Sequence, residues 1–189
     1  MLRVQGSNGV KHKAVFLDRD GTILRPILVL TKPTQVRPYA VAARAIKLLN
    51  QLGYLVVVVT NQPIIEKGFI DERGVKKLHA VLQKKLAKGG ALVRAFYVCP
   101  HRYPSTCRCR KPNIGLVRRA QKEFKIDLKK SFFVGDSTRD VQTGKNAGIK
   151  TILVRTGEGG KDTRFYKAKA DYVARDILGA VKLIEKLSG

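Results

Sequence analysis

Two aspartates, Asp18 and Asp20, stand one residue apart directly after the apolar run 14–17, which predicts a β-strand over residues 13–17. The Gly21-Thr22 pair that follows them predicts a turn. Both carboxylates then lie at the carboxyl end of a strand, where open α/β sheets bind their ligands. Neighbouring carboxylates repel each other, and Mg²⁺ relieves that repulsion because it takes carboxylates together with phosphate oxygens and water. The alternative is a strand that ends in a solvated polar turn.

Three further polar segments each follow a predicted strand. They supply a hydroxyl, two side-chain amides, two cations and two more carboxylates, from Thr60, Asn61, Gln62, Arg110, Lys111, Asp136 and Asp140. Because parallel strands present their carboxyl ends at one edge of a sheet, we expect all four segments to meet there.

This set of residues fits phosphoryl transfer through a covalent aspartyl-phosphate. Asp18 is the predicted nucleophile. Asp20 is predicted to protonate the leaving oxygen and then to deprotonate the water that hydrolyses the intermediate. Mg²⁺ is expected between Asp18, Asp136 and the backbone carbonyl of Asp20.

Phosphoryl transfer also needs cations and hydrogen-bond donors around the phosphate oxygens, since positioning and charge stabilisation supply most of the catalysis. The predicted phosphate and substrate contacts are Thr60, Asn61, Gln62, Arg110 and Lys111. Asp140 is predicted to support them by orienting Lys111 or a metal-bound water. Arg110 suits a substrate with a second anionic group, because a guanidinium binds phosphate in a bidentate manner.

The three cysteines of the chain, Cys99, Cys107 and Cys109, fall in one short loop together with His101. An odd number of cysteines cannot pair completely, and such a cluster in a cytosolic protein indicates a metal site. One imidazole and three thiolates complete a tetrahedral set for Zn²⁺, so we predict a structural zinc ion. This ion would hold Arg110 and Lys111 over the carboxyl edge of the sheet. The alternative is three free thiols near an incidental histidine.

Strand and helix patterns alternate along the chain, which predicts an α/β fold with a doubly wound parallel sheet. The predicted strands are residues 13–17, 54–59, 92–98, 131–135, 149–154 and 171–173. The predicted helices begin at Pro38, Asp71, Asn113, Thr138 and Asp176. We expect residues 1–12 to form a mobile tail, residues 13–189 to form one domain, and His12 and His79 to lie on the surface.

Composition narrows the class of protein. The chain has 189 residues, of which 44% are hydrophobic, enough for one domain with a sizeable core. No apolar run reaches the roughly 18 residues of a membrane span, and the first nine residues lack the apolar stretch of a signal peptide. We therefore expect a cytoplasmic monomer without membrane contact. The net charge of +24 attracts anions, whether nucleic acid or phosphorylated metabolites.

The motifs resemble, in order, the four motifs of the haloacid dehalogenase (HAD) superfamily of phosphatases. They are Phe16-Leu17-Asp18-Arg19-Asp20-Gly21-Thr22, Thr60-Asn61-Gln62, Arg110-Lys111-Pro112 and Gly135-Asp136-Ser137-Thr138-Arg139-Asp140. The resemblance covers residues 13–157. It implies a Rossmann-like HAD fold, a Mg²⁺-dependent phosphatase and the residue roles given above.

The cysteine loop is similar to that of one HAD group, which comprises the D-glycero-D-manno-heptose 1,7-bisphosphate phosphatases and the histidinol-phosphate phosphatases. In that group Cys-x-His and Cys-x-Cys run directly into Arg-Lys-Pro, and there is no large cap domain. The segment from Thr60 to Gly68 and the exit Leu153-Val154-Arg155-Thr156-Gly157 resemble the heptose members. The resemblance implies hydrolysis of the 7-phosphate of a small phosphorylated sugar.

Three alternatives stay open on the sequence. The first is a histidinol-phosphate phosphatase, from the sister family. The second is a nucleic-acid 3′-phosphatase of the same superfamily, which would account for the charge of +24. The third is a basic zinc-containing module that binds RNA or a partner protein without catalysis.

Overall fold

The central feature of the computed structural model, which describes residues 11–163 and 166–188, is one sheet of six parallel strands. The strands are β1 (Ala14–Leu17), β2 (Leu55–Asn61), β3 (Ala95–Cys99), β4 (Phe132–Gly135), β5 (Lys150–Val154) and β6 (Tyr172–Ala174). The helices are α1 (Ala42–Gln51), α2 (Glu72–Ala87), α3 (Gly115–Phe124), α4 (Thr138–Ala147) and α5 (Ile177–Ser188). The predicted α/β fold with a parallel sheet is confirmed.

The strand order β3-β2-β1-β4-β5-β6 determines where the ligand-binding crevice of the fold lies. The chain winds outward in one direction through β1, β2 and β3, and in the other through β4, β5 and β6. β1 and β4 pair with each other, Leu17 beside Val134, so the order reverses between them. Ligands bind outside the carboxyl ends of the strands at such a reversal. Asp18 and Asp136 follow these two strands directly.

Both faces of the sheet are covered. All four residues of β1 are buried, and the middle of β2 is equally buried, which explains why these strands read as continuous apolar runs. One core cluster lies under α1, α2 and α5, and a second cluster lies under α3 on the opposite face. None of the described helices is both long and apolar enough to cross a bilayer.

The third strand begins later than predicted, at Ala95 instead of residue 92. The side chain of Asn50 exchanges hydrogen bonds with the backbone of Leu92, and the side chain of Gln83 bonds to the backbone N–H of Val93. These side chains bond to backbone N–H and C=O groups that would otherwise pair with a neighbouring strand. Leu92 and Val93 therefore lie outside the sheet, and the backbone first meets β2 at Arg94, whose N–H donates to the carbonyl of Val56 at 2.7 Å.

The first helix also begins later than predicted, at Ala42 and not at Pro38. Pro38 forms an antiparallel bridge with Leu24, and the adjacent N–H of Tyr39 donates to the carbonyl of Ile23 at 2.9 Å. This pairing keeps Pro38 and Tyr39 outside the helix, and a turn at residues 40–41 leads from them into α1.

The predicted tail lies outside the described residues except for Lys11 and His12. The backbone of His12 donates to the carbonyl of Lys125 at 3.1 Å and accepts from the N–H of Asp127 at 2.8 Å. The chain is therefore held to the fold from His12 onward, one residue before the predicted first strand.

The prediction that His79 lies on the surface is wrong. The residue is 6% exposed on α2, its ring stacks on Phe96 with centroids 4.5 Å apart, and its Nε2 lies 3.0 Å from Nη1 of Arg19. A guanidinium has only donors, so Nε2 accepts and the ring is neutral. Burial and the charge of Arg19 lower the pKa of His79 to about 3.

This buried neutral histidine predicts an acid-sensitive contribution to stability. Its pKa is about 6.5 when unfolded and about 3 when folded. Between these values the unfolded chain binds a proton that the folded chain excludes, so stability is lost as the pH falls below 6.5. Between about pH 7 and about pH 5, we expect wild type to lose about 2 kcal/mol more than His79→Gln, measured by urea unfolding. Parallel pH dependences for the two proteins would contradict this.

Candidate active site

A cavity of about 480 Å³ opens at the carboxyl edge of the sheet, beside the reversal in strand order. All four sequence segments contribute side chains to it. Among its lining residues are Asp18, Asp20, Thr60, Asn61, Lys111, Asp136 and Asp140. The structure therefore brings these predicted site residues together, as a parallel sheet requires. Gln62 and Arg110 lie just outside this lining.

Lys111 bridges two of the carboxylates. Its Nζ lies 2.5 Å from Oδ1 of Asp18 and 2.6 Å from Oδ1 of Asp140, and all three residues are buried. Burial alone would lower the pKa of Lys111, but the two carboxylates outweigh it and raise the pKa. The Lys111 ammonium therefore stays charged and links Asp18, the predicted nucleophile, to Asp140, the predicted supporting residue.

The carboxylates outnumber this cation. Oxygens of Asp18, Asp136 and Asp140 all lie within 4.8 Å of one another. Burial first, and then the neighbouring carboxylates, raise the pKa of Asp18 to about 7 and that of Asp136 to about 8, although Lys111 opposes both shifts. Hard oxygen ligands that share uncompensated negative charge are suited to a divalent cation such as Mg²⁺.

Asp20 is held from two sides. The guanidinium of Arg19 bonds to both of its oxygens, at 3.1 Å from Nε and 2.9 Å from Nη2. The amide of Gln62 donates to Asp20 at 2.8 Å and to the Thr60 hydroxyl at 2.8 Å. Gln62 therefore contacts two other predicted site residues, and its predicted contact with substrate stays a prediction.

Asp140 and Asp136 are each fixed by groups that sequence reasoning did not single out. Ser137 donates to Asp140 from its N–H and its hydroxyl, in a reciprocal capping arrangement at the start of α4. The signal was present in the sequence, since a serine three residues before an acid is a capping-box pattern. Asp136 accepts the backbone N–H of Glu158 at 2.7 Å, a contact for which the sequence has no local signal.

Asn61 fixes the backbone of Lys111. Its side-chain oxygen accepts the N–H of Lys111 at 3.0 Å, and its amide donates to the Lys111 carbonyl at 3.2 Å. This two-bond contact joins the end of β2 to the end of the cysteine loop, and it places the ammonium at the acids.

The predicted zinc ligands converge. The sulfurs of Cys99, Cys107 and Cys109 lie 3.3–3.7 Å apart, and Nδ1 of His101 lies 3.5 Å from Cys99 and 3.3 Å from Cys109. Ligands about 2.3 Å from a tetrahedral centre are about 3.8 Å from each other, so the four atoms fit around one metal ion.

Arg110 lines a second cavity of about 310 Å³, which shares Lys111 and Arg139 with the first. Its Nη1 donates to the carbonyl of His101 at 2.7 Å, which ties the guanidinium to the cysteine loop. Burial and the proximity of Arg139 lower the pKa of Arg110. Two guanidinium groups therefore stand beside the acidic site, in a space open to an anion.

Comparison with known proteins agrees with this geometry. A HAD-hydrolase-like family model matches residues 108–180. The D-glycero-beta-D-manno-heptose-1,7-bisphosphate 7-phosphatase of Pasteurella multocida is 38% identical over 182 residues, which are 93% of this chain and 98% of the relative. The protein of the same name from Haemophilus influenzae is 33% identical and covers the same shares of both chains.

Solved structures give the same result. D,D-heptose 1,7-bisphosphate phosphatase from B. bronchiseptica, complexed with magnesium and phosphate, superposes with a TM-score of 0.86. It is 30% identical, and the match covers 93% of this chain and 99% of that one. A putative HAD-like phosphatase from Mesorhizobium loti superposes with a TM-score of 0.79 at 29% identity, over 99% and 92% of the two chains. Because the likeness extends over nearly the whole of these chains, this chain belongs to the D-glycero-D-manno-heptose-1,7-bisphosphate 7-phosphatase family of HAD-like phosphatases.

Proposed function

We propose that the chain removes the 7-phosphate of D-glycero-D-manno-heptose 1,7-bisphosphate in a Mg²⁺-dependent reaction and leaves the 1-phosphate. The observation that carries the proposal is the pair of contacts from Lys111 to Asp18 and Asp140 beside a third carboxylate, in a chain whose relatives bear this name. We propose with it a small phosphosugar as the partner, a cytoplasmic location and a monomeric state.

The first step forms the covalent intermediate. A carboxylate oxygen of Asp18 bonds to the phosphorus of the 7-phosphate while the bond from phosphorus to the sugar oxygen breaks. The electron pair of that bond stays on the sugar oxygen, which takes the proton of the Asp20 carboxyl group. The Lys111 ammonium and the Thr60 hydroxyl hold oxygens of the transferring group, which carry most of its charge.

The second step releases phosphate. Water attacks the phosphorus and gives a proton to the Asp20 carboxylate, and the bond between phosphorus and Asp18 breaks. Asp20 is thereby returned to its acid form, and Asp18 is again a carboxylate. Asp140 keeps Lys111 in place through both steps.

The carboxylate of Asp136, which we propose as a Mg²⁺ ligand, packs closely against two glycines. A Cβ built on Gly21 would lie 2.1 Å from Oδ2 of Asp136, and one built on Gly157 would lie 2.0 Å from the same atom. Both glycines also have positive φ, so the backbone wraps the Asp136 carboxylate where no side chain fits. Asp18, Asp136 and the backbone carbonyl of Asp20 would hold the ion. Bound there, Mg²⁺ neutralises negative charge on the nucleophile and on the transferring phosphate.

The second phosphate of the substrate has a place of its own. Arg110 and Arg139 line the cavity that adjoins the acidic site through Lys111. We assign the 1-phosphate to these guanidinium groups, because they bind phosphate oxygens in pairs.

Zinc is the metal we propose for the cysteine loop. Three sulfurs and one imidazole nitrogen leave no open position, so the ion has a structural role. The loop runs from Cys109 through Arg110 into Lys111, so the ion would hold both cations at the substrate.

The nucleophile is tested with Asp18→Asn and a substrate panel. An amide does not attack phosphorus, so we expect release of the 7-phosphate, followed by ³¹P NMR, to fall at least about a thousandfold. Asp127→Asn is the matched control, because Asp127 caps the turn before β4 and does not line the cavity. Faster turnover of histidinol phosphate, or of a 3′-phosphorylated oligonucleotide, than of heptose bisphosphate would contradict the proposal.

The glycine fit is tested with Gly157→Ala. A methyl group there meets the Asp136 carboxylate, so we expect activity to fall at least about tenfold and half-maximal activity to require more Mg²⁺. Gly148→Ala is the control, since Gly148 has φ of +70° but nothing within 4 Å of its added Cβ. It should lose about 1 kcal/mol of stability and keep its Mg²⁺ dependence. Equal Mg²⁺ requirements in the two variants would argue against a metal at Asp136.

The zinc site is tested by elemental analysis of protein grown with zinc. We expect about one zinc per chain in wild type and in Thr106→Ala, a change at an exposed non-ligand residue of the same loop, and much less in Cys109→Ser. Cys109→Ser should also raise KM, because Lys111 and Arg110 lose an anchor. A wild-type protein with three freely titratable thiols and no zinc would exclude this site.

A further inference from the structure

We propose that His79 is a positioning residue for the reaction: by accepting a hydrogen bond from Arg19, it fixes the guanidinium that aims Asp20 at the leaving oxygen. The inference rests on the proposed function, in which Asp20 is the general acid. It adds a residue from α2, 60 positions away from Arg19 in the chain, to the machinery of the site.

Arg19 has every nitrogen of its guanidinium engaged. Nε and Nη2 bond to the two oxygens of Asp20, and Nη1 bonds to Nε2 of His79 at 3.0 Å. The residue is 1% exposed, although it stands between the two catalytic aspartates in the sequence. A buried guanidinium that loses one partner is left with an unsatisfied donor.

His79 is built to be an acceptor. Its ring stacks nearly parallel on Phe96, with 16° between the ring planes, which sets the direction of its nitrogens. Because Arg19 donates, Nε2 carries no proton in this arrangement. Burial and the neighbouring guanidinium lower the pKa of the ring to about 3, so this acceptor persists at neutral pH.

The position of Asp20 depends on this contact. The carboxylate is 32% exposed at the cavity, and its side-chain partners among the described residues are Arg19 and the amide of Gln62, the latter at 2.8 Å. Without the acceptor on His79, the guanidinium is free to turn toward another partner and takes the carboxylate with it. A displacement of about 1 Å is enough to lower the rate of a positioned proton transfer by about a hundredfold.

This role has a signature that loss of stability does not share. A sugar alkoxide leaves phosphorus only with a proton from Asp20, whereas p-nitrophenolate leaves as a stable anion without one. The ratio of kcat/KM for heptose bisphosphate to kcat/KM for p-nitrophenyl phosphate therefore reports proton donation. A variant that only destabilises the fold lowers both values and keeps their ratio.

The experiment measures this ratio in three variants. His79→Phe keeps a flat ring beside Phe96 but has no acceptor, and we expect the ratio to fall about tenfold. His79→Gln supplies an acceptor oxygen, and we expect the ratio to stay within about threefold of wild type. Gln83→Ala, the control on the same helix, loses bonds to Ala91 and Val93 and should leave the ratio unchanged.

An unchanged ratio in His79→Phe overturns the proposal. Asp20→Asn separates this failure from that of the proposed function: if Asp20→Asn also leaves the ratio unchanged, Asp20 is not the general acid. If His79→Phe does not fold, NMR of ¹⁵N-labelled wild type takes its place. We expect coupling between Arg19 Nη1 and an unprotonated Nε2 of His79, and a protonated Nε2 at neutral pH refutes the inference.

Discussion

One buried arrangement of charges governs this structure, namely the Lys111 ammonium between the carboxylates of Asp18 and Asp140, with Asp136 close by. Buried charges destabilise a protein unless each is paired and hydrogen-bonded. The lysine meets that condition, but three carboxylates against one ammonium do not. The raised pKa values of Asp18 and Asp136 are the physical expression of this imbalance. A divalent cation such as Mg²⁺ would offset this excess of negative charge, and the proposed phosphoryl transfer depends on the same cation.

The rest of the fold serves to bring that lysine to those acids. Strands β1 and β4 carry Asp18 and Asp136 on rigid, fully buried elements. Lys111 instead arrives at the end of a loop, and it needs anchors of its own. Asn61 binds its backbone from the end of β2, and the cysteine and histidine cluster gathers the loop just before it. The position of this cysteine and histidine cluster just before Lys111 in the chain is understandable on this ground, because a loop must be ordered before it can hold a buried charge.

The parts of the site that could be predicted follow from the geometry of parallel sheets. Polar segments after four parallel strands have only one edge at which to meet, so their convergence needs no knowledge of side-chain contacts. The boundaries that were wrong are those decided by such contacts. At Leu92 and at Pro38, side chains or a neighbouring loop take backbone groups that local preferences assign to a strand or a helix. Secondary-structure propensity depends on residues that are close in sequence, so it contains no information about these distant partners.

For His79, burial could be predicted from the sequence, but its hydrogen-bond partner could not. It shares the buried face of α2 with Val75, Leu78, Leu82 and Leu86, so its spacing alone assigns it to the core. Its burial was therefore legible in the sequence. Its partner was not, because nothing in a helical pattern indicates that Arg19 occupies the space above it. Helical periodicity thus identifies which polar residues are buried, and only the fold identifies what satisfies them.

Charges on the surface and charges inside the site have different effects on ligands. Its 38 basic and 14 acidic residues give a positive exterior, which attracts a bisphosphate but repels a divalent cation. Screening limits that repulsion, since exposed charges more than about 8 Å away contribute little at physiological salt. A carboxylate about 4 Å from a unit charge contributes about 4 kcal/mol at an effective dielectric constant of about 20. On these magnitudes, the negative charge of the three clustered acids would outweigh the distant positive surface in attracting a divalent cation.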